Sequence, residues 1–238
     1  MSATATVGQL VVESPARARV FERYGIDYCC GGKIPLADAC AKKGVDLQQV
    51  LHDLLNEDAQ PAAPAQDWAA ASLNELTQHI VSTHHAYLRQ ELPRLEFLTQ
   101  KVVNAHGERH VALQQVHHIF MNLKADMEAH MRKEEEILFP MCQQLDSATE
   151  IPEFHCGSLR HPIAVMLREH DDAGVALETM RQLTQNYTPP ADACNTYRAM
   201  LVSLAQLEAD MHQHVHKENN ILFPRAIALE SKLGACSH

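Results

Sequence analysis

The chain has 238 residues, enough for one large domain or for a medium domain with a smaller one. Its hydrophobic content of 46% suits a globular core, and its aromatic content of only 5% favours helical packing over a sheet. The net charge of −10, counted with neutral histidines, argues against a phosphate-binding surface, so we expect no nucleic acid partner.

We also expect a cytoplasmic protein without a membrane partner. Residues 1–15 lack the basic n-region and the apolar core of a signal peptide. No apolar run is long enough to span a bilayer. The seven cysteines are too scattered for a secreted disulfide framework.

Residues 1–56 are typical of a small helical domain. Ser14, followed by proline, predicts the start of a helix that Gly25 ends. Residues 28–32, Tyr-Cys-Cys-Gly-Gly, predict a turn. Two further short helices are predicted, one from 35 to 43 and one after the N-cap Asp46.

A linker at residues 57–66 separates this segment from a larger domain at 67–238. The linker contains two prolines and four alanines but no large apolar residue. The larger domain shows helical periodicity, and no segment alternates with period two. The predicted fold is therefore all-α, a small helical domain followed by a four-helix bundle with helices at 72–104, 109–145, 161–186 and 191–222.

An internal repeat relates the second and fourth of these helices. Residues 126–140 and 210–224 are identical at nine of fifteen positions, at an offset of 84 residues. The larger domain is therefore interpreted as two helical hairpins related by a pseudo-twofold axis. A Phe-Pro pair closes each copy, and we expect the long helix to bend or stop there.

Histidine is over-represented, with 16 residues, and helical phase selects those that face the core. Apolar residues recur at steps of three and four along each long helix, and a few histidines and glutamates interrupt these seams at matching levels. In the first helix the seam through His85 is apolar, whereas the phase through His84 is polar. The residues that interrupt the four seams are His85, His130, Glu134, His170, His214 and Glu218.

These six residues predict a dinuclear metal site. Two facing buried carboxylates are very costly, and a pair of cations removes that cost. Glu134 and Glu218 can bridge both metals while each metal takes two histidines, and one oxo or hydroxo bridge leaves about one open position per metal. Ligands without thiolate suit iron or manganese. Nothing in the sequence excludes zinc, although a structural zinc site should be closed.

Further polar residues are candidates around this site. Asp126 and Asp210 lie four residues before His130 and His214, so they either accept the free ring N–H of those ligands or belong to a solvated helix face. Glu169 is expected to line the access route to the site. The histidines off the seams are expected at the surface, namely His79, His84, His106, His110, His117, His118, His212 and His216.

The motifs of this chain occur together in one known family. His85, HMRKE at 130–134, REHD at 168–171 and HVHKE at 214–218 match a hemerythrin-like domain, and YCCGGK at 28–33 matches a small cysteine domain. Nearly the whole chain thus resembles the iron–sulfur cluster repair di-iron proteins, also called the repair-of-iron-centres family. The matching halves of the site differ from the unsymmetric ligand set of oxygen-carrying hemerythrins, and ferritin-like oxidases place Glu before His.

This resemblance implies a cytoplasmic, stress-induced protein that restores iron–sulfur clusters damaged by nitric oxide or peroxide, by releasing iron. It implies two iron ions with an oxo or hydroxo bridge, and damaged iron–sulfur proteins as clients. Nitric oxide is a further candidate ligand. The alternative function is a nitric oxide or oxygen binding, reducing or sensing protein, so a nitric oxide reductase activity stays open. Either a monomer or a homodimer is compatible with the sequence.

The vicinal pair Cys29 and Cys30 is the remaining candidate site. We expect accessible thiols in a glycine turn, where a disulfide between adjacent residues would need a strained small ring. With the resemblance, the pair is interpreted as thiolates that receive iron, exchange thiols or contact a client. The alternative is that both are ordinary small residues of a turn. The other cysteines lack paired spacing and are interpreted as structural.

Overall fold

The computed structural model describes residues 4–59 and 66–236. Helices dominate both stretches, and the only β structure within them is an isolated antiparallel bridge between Thr6 and Pro35. The all-α prediction is therefore confirmed. Residues 60–65 of the predicted linker lie outside the described residues, so the division at 57–66 stays a prediction. No helix in the two described stretches combines the length and hydropathy that a bilayer-spanning segment requires.

The N-terminal unit packs short helices around its own apolar cluster. These are α1 (Val7–Glu13), a 3₁₀ turn (Pro15–Arg17), α2 (Ala18–Tyr24), α3 (Leu36–Lys43) and α4 (Leu47–Asp58). Gly25 and Gly44 end α2 and α3 at φ values of 62° and 67°, which glycine adopts without a Cβ clash. The Asp46 side chain caps α4 by accepting from the backbone N–H of Gln48. Helix α1 has no predicted counterpart.

The C-terminal part consists of four long helical rods. The first joins α5 (Leu73–Ile80), a π turn (Val81–His85) and α6 (Ala86–His106), and the second joins α7 (Ala112–Lys133), a π turn (Glu134–Leu138) and α8 (Phe139–Asp146). The third is α9 (Arg160–Leu183), and the fourth joins α10 (Asn195–Lys217), a π turn (Glu218–Leu222) and α11 (Phe223–Cys236).

The end of the fourth rod differs from the prediction, whereas the second rod ends one residue from its predicted end. The fourth rod continues to Cys236 instead of ending at 222, and neither Phe-Pro pair stops its helix. Pro140 and Pro224 are the second residues of α8 and α11, where α-helical bonding restarts after a π turn. A proline near a helix start removes no N–H that the helix needs, so both rods continue.

Each π turn contains a predicted metal ligand. Such turns hold one more residue than an α turn and are frequent at functional sites. In the first rod the π turn directs two neighbouring histidines inward, so that His84 is 2% exposed and His85 is 0% exposed. The expected surface position of His84 is therefore wrong, because the seam spacing assumes a regular α-helix.

Two apolar layers enclose the level of the predicted ligands. The ligands of each rod lie between residues of one layer and residues of the other, so apolar side chains cover both ends of the site. One layer contains Leu88, Phe120, Met127, Ala173, Leu204 and Met211, and the other contains Leu76, Ile80, Leu145, Ile163, Met166 and Leu222.

Candidate metal centre

All six predicted ligands meet in the middle of the bundle. Their side chains come from all four rods, and each is at most 1% exposed. Two of them, Glu134 and Glu218, are the first residues of their π turns. The repeat thus places equivalent carboxylates at one level of the second and fourth rods.

The donor atoms form two overlapping groups that share both glutamates. Within each group the donor atoms lie within 4.8 Å of one another. The first group contains His85, Glu134, His214 and Glu218, and the second contains His130, Glu134, His170 and Glu218.

Each glutamate faces one histidine of each group. Glu134 Oε2 lies 3.3 Å from Nε2 of His85 and 3.3 Å from Nε2 of His130. Glu218 Oε1 lies 3.0 Å from Nε2 of His214, and its Oε2 lies 3.1 Å from Nε2 of His170. This is the arrangement that carboxylates need in order to bridge two cations.

Several donor atoms at the centre have no hydrogen-bond partner among the described residues. They include both carboxylate oxygens of Glu134, Oε2 of Glu218 and Nε2 of His85. In addition, Nε2 of His130 and Nε2 of His170 face each other at 3.1 Å. Each unsatisfied buried polar group costs about 1–3 kcal/mol. A pair of cations would satisfy all of these atoms, so the residues present fit a dinuclear metal centre.

Opposite charges at the centre shift one another's pKa. Burial acts to raise the pKa of Glu134 and of Glu218, but the neighbouring imidazoles outweigh it and hold both pKa values below the ordinary range. At His130 burial acts to lower the pKa, and the Glu134 carboxylate overcomes it and raises the pKa to about 9. Protons on imidazole therefore balance the carboxylates, and metal ions would replace them.

Outer partners orient the imidazoles of His85 and His170. Nδ1 of His85 donates to Glu135 at 2.6 Å, and the same carboxylate pairs with Arg89. Nδ1 of His170 donates to Oδ1 of Asn219 at 2.8 Å. Both contacts leave Nε2 directed at the centre, as ligand histidines require. Neither Glu135 nor Asn219 was predicted, since neither lies in an apolar seam.

The outer partner of His130 is Glu169. Nδ1 of His130 donates to Oε2 of Glu169 at 2.9 Å, and Glu169 also pairs with Lys133. Asp126, the predicted partner, lies on an exposed face of α7. Of the two predicted alternatives for Asp126, the solvated helix face is the one observed, because the carboxylate that reaches His130 comes from the neighbouring rod and not from the preceding turn.

Asp210 has neither of its two predicted roles, since it is half-buried and pairs with a different histidine. It accepts from Nδ1 of His84 at 2.9 Å and does not contact Nδ1 of His214, which has no partner among the described residues. Nε2 of His84 accepts from the ammonium of Lys217 at 2.6 Å, and burial lowers the pKa of Lys217 to about 8. The His84 ring stacks on the His214 ring at 5.2 Å, so this polar cluster supports His214 by packing.

Two other histidines expected at the surface are buried. His106 is 6% exposed, with Nε2 lying 3.2 Å from Sγ of Cys194. His216 is 5% exposed, and its Nδ1 donates to the carbonyl oxygen of Tyr28 at 3.3 Å. The second contact joins α10 to the N-terminal unit, a relationship that helical periodicity does not reveal.

The thiols of the cysteine turn are less accessible than predicted. Cys29 is 5% exposed and Cys30 is half-buried. Sγ of Cys30 donates to the carbonyl oxygen of His170 at 3.4 Å, and the Asn220 amide donates to the carbonyl oxygen of Cys29 at 3.1 Å. The turn is covered because it docks on α9 and on the third π turn, beside the metal centre.

Two protein families match successive parts of the chain. A domain of unknown function, DUF542, matches residues 3–58, and the hemerythrin HHE cation binding domain matches residues 76–226. The bundle is therefore a hemerythrin HHE domain, and a DUF542 domain precedes it.

Curated relatives match over nearly their whole length. The iron-sulfur cluster repair protein YtfE of Musicola paradisiaca (strain Ech703) is 37% identical over 229 residues, covering 95% of this chain and 97% of the relative. The YtfE protein of Edwardsiella ictaluri (strain 93-146) is 38% identical, covering 93% and 96%. That of Escherichia coli O157:H7 is 37% identical, covering 94% and 97%. The chain belongs to the iron–sulfur cluster repair protein family, as its motifs predict.

Proposed function

We propose that the centre binds two iron ions joined by an oxo or hydroxo bridge. Four imidazoles and two carboxylates without thiolate suit iron, and the unpaired buried oxygens support two cations. One iron would be held by His85 and His214 and the other by His130 and His170, with Glu134 and Glu218 as bridges.

We propose that this chain repairs iron–sulfur clusters by donating iron to damaged iron–sulfur proteins. Relatives named for cluster repair span both of its domains. The observation that carries the proposal is the position of the cysteine turn, with Sγ of Cys30 lying 3.4 Å from the carbonyl oxygen of His170. A centre that only binds a gas needs no thiol pair beside it. A centre that releases iron needs such a pair to receive the metal.

When bound, iron supplies Lewis acidity and one-electron redox chemistry. The residues of the chain decide how firmly each donor is held. His85, His130 and His170 are oriented by Glu135, Glu169 and Asn219, whereas Nδ1 of His214 has no hydrogen-bond partner in the described part of the chain. The His214 imidazole is therefore held by its stacking on the His84 ring and not by a hydrogen bond at Nδ1.

Nitric oxide binding and reduction is the second candidate function. It is supported by the two matching donor groups, each with two histidines and two shared carboxylates, since such groups leave coordination positions open on both metals. Two adjacent open positions suit a reaction that couples two small molecules. Binding of nitric oxide alone does not distinguish the functions, because both predict it.

The fate of the iron distinguishes the two functions. A donor should release iron more readily after reduction, because ferrous iron is held less firmly by anionic ligands. We expect the reduced protein to lose iron to a chelator much faster than the oxidised protein, and to rebuild a cluster in an apo-client without added iron. Reduced protein that keeps its iron under chelation and turns over nitric oxide repeatedly would establish the reductase instead.

We further propose that the protein acts in the cytoplasm under nitrosative or oxidative stress. Six cysteines are free, namely Cys29, Cys30, Cys40, Cys142, Cys156 and Cys194, which is the state that a reducing compartment maintains. Iron–sulfur clusters are damaged under such stress, so a donor of iron is needed in the cytoplasm under these conditions.

A further inference from the structure

The turn after α2 brings three metal-binding side chains together outside the di-iron centre. Donor atoms of Asp27, Cys29 and Cys30 lie within 4.8 Å of one another. Sγ of Cys29 lies 3.9 Å from Sγ of Cys30 and donates to Oδ1 of Asp27 at 3.2 Å. The Asp27 carboxylate is held in place because it also accepts from the backbone N–H groups of Cys29 and Gly31.

The spacing of the two sulfur atoms suits a shared cation. Metal–thiolate bonds of about 2.3 Å at a tetrahedral angle place two sulfur atoms about 3.8 Å apart. The observed 3.9 Å between the Cys29 and Cys30 sulfurs is close to this separation. A disulfide would need about 2.05 Å, and both cysteines are free.

Thiol exchange explains the pair less well. The hydrogen bond with Cys30, together with burial, raises the pKa of Cys29 well above its ordinary value. A protonated thiol is a poor nucleophile, and Cys29 is only 5% exposed. A cation, in contrast, displaces the thiol protons and satisfies both sulfurs at once.

The three side chains open into a cleft between the N-terminal unit and the bundle. The cleft has a volume of about 720 Å³, and five carboxylates and three basic side chains line it. One of these carboxylates is Glu208, which is 5% exposed. Its Oε1 has no hydrogen-bond partner among the described residues, although Nε of Arg181 lies 3.4 Å away. The lining therefore favours a cation on its way to or from the turn.

We propose that Asp27, Cys29 and Cys30 form a mononuclear site for a ferrous ion, with its fourth position facing the cleft. Binding exchanges the two thiol protons for the metal, releases them to solvent and transfers no electron. The site deepens the proposed function, since it holds iron after it leaves the di-iron centre and before a client takes it.

The position of the site relative to the di-iron centre agrees with this role. Sγ of Cys30 contacts the carbonyl oxygen of His170. Consecutive residues of the third π turn serve both sites, because Asn219 orients His170 and Asn220 holds the backbone of Cys29. The mononuclear site therefore contacts the backbone of His170, whose side chain faces the di-iron centre.

Cobalt(II) is the probe, because its thiolate complexes give intense charge-transfer absorption. We expect the iron-loaded full chain to bind one cobalt with these bands and with both irons retained. Cys29→Ser/Cys30→Ser should abolish the bands, and Asp27→Asn should weaken cobalt binding at least about tenfold. Cys156→Ser/Cys194→Ser, which removes two exposed thiols elsewhere, should leave binding unchanged.

Two outcomes would refute the proposed site. One is the absence of thiolate–cobalt bands in the unmodified chain, and the other is their persistence in Cys29→Ser/Cys30→Ser. The di-iron absorption of each variant reports whether the bundle remains folded. Cluster rebuilding is measured separately. A chain that binds cobalt at the turn but rebuilds no cluster refutes iron donation and leaves the site intact. Full cluster rebuilding by Cys29→Ser/Cys30→Ser would refute only the proposal that this site holds iron between the di-iron centre and a client.

Discussion

Nδ1 of His130 lies 2.9 Å from Oε2 of Glu169, a residue 39 positions away on the neighbouring rod. The contact crosses from α7 to α9, and Lys133 holds the same carboxylate from the α7 side. A carboxylate in this position selects the tautomer in which Nε2 of His130 is free to bind metal. The orientation of one proposed ligand thus depends on how two rods pack.

Removing Glu169 should therefore weaken the hold on iron. We expect Glu169→Ala to lower iron affinity by about 10–100-fold, the usual effect of losing a partner of a ligand histidine. Asp126→Ala is the matched control, since Asp126 lies on the exposed face of α7. Iron retention during dialysis against a chelator measures both. Equal losses from the two variants would contradict a specific role for the contact between Glu169 and His130.

Removing a proposed ligand should lower iron binding more than removing Glu169 does. We expect His130→Ala and Glu218→Ala to lower the iron content below two per chain and to remove the oxo-to-iron charge-transfer bands of the oxidised protein. His118→Ala, at an exposed position of α7, should keep both irons. Metal analysis together with Mössbauer spectroscopy checks this prediction. Two irons retained in both ligand variants would contradict the assignment.

Replacement of His84 and replacement of its neighbour His85 should have different effects on iron binding. We expect His85→Ala to lose iron, because Nε2 of His85 faces Glu134. His84→Ala should keep both irons but release them faster, because the His84 ring stacks on His214 and supports it. His84→Phe, which keeps a ring there, should release iron more slowly than His84→Ala. Iron loss from His84→Ala equal to that from His85→Ala would make His84 a ligand.

A chain starting at Asp67 should separate iron binding from repair. We expect it to fold and to bind two irons, because all six proposed ligands lie in the four rods. Its Tm should fall, because the bundle loses the contacts that His216 and Asn220 make with the cysteine turn. Cluster rebuilding should fall strongly without Cys29 and Cys30. Full rebuilding by the shortened chain would leave the cysteine turn without a role.

Helical periodicity depends on residues that are close together in the chain. It predicted the features of this protein that depend on such residues. The seams identify His85, His130, His170 and His214 as inward-facing, and the repeat relates Glu134 to Glu218. The all-α fold follows from the same patterns, and the caps at Gly25, Gly44 and Asp46 follow from backbone chemistry at single residues. Periodicity failed at His84, where the π turn changes the number of residues per turn.

Contacts between rods could not be predicted in this way. Glu135, Glu169 and Asn219 orient ligands on other rods, and their positions depend on the rotation and axial offset of each rod. The burial of Cys29 depends on how the N-terminal unit sits on the bundle. The sequence therefore determined that these six histidine and glutamate donors face the core. The tertiary structure decided which polar groups orient those donors and which groups lie beside the site. These contacts join residues on different helices, and their spacing along the chain follows no helical repeat.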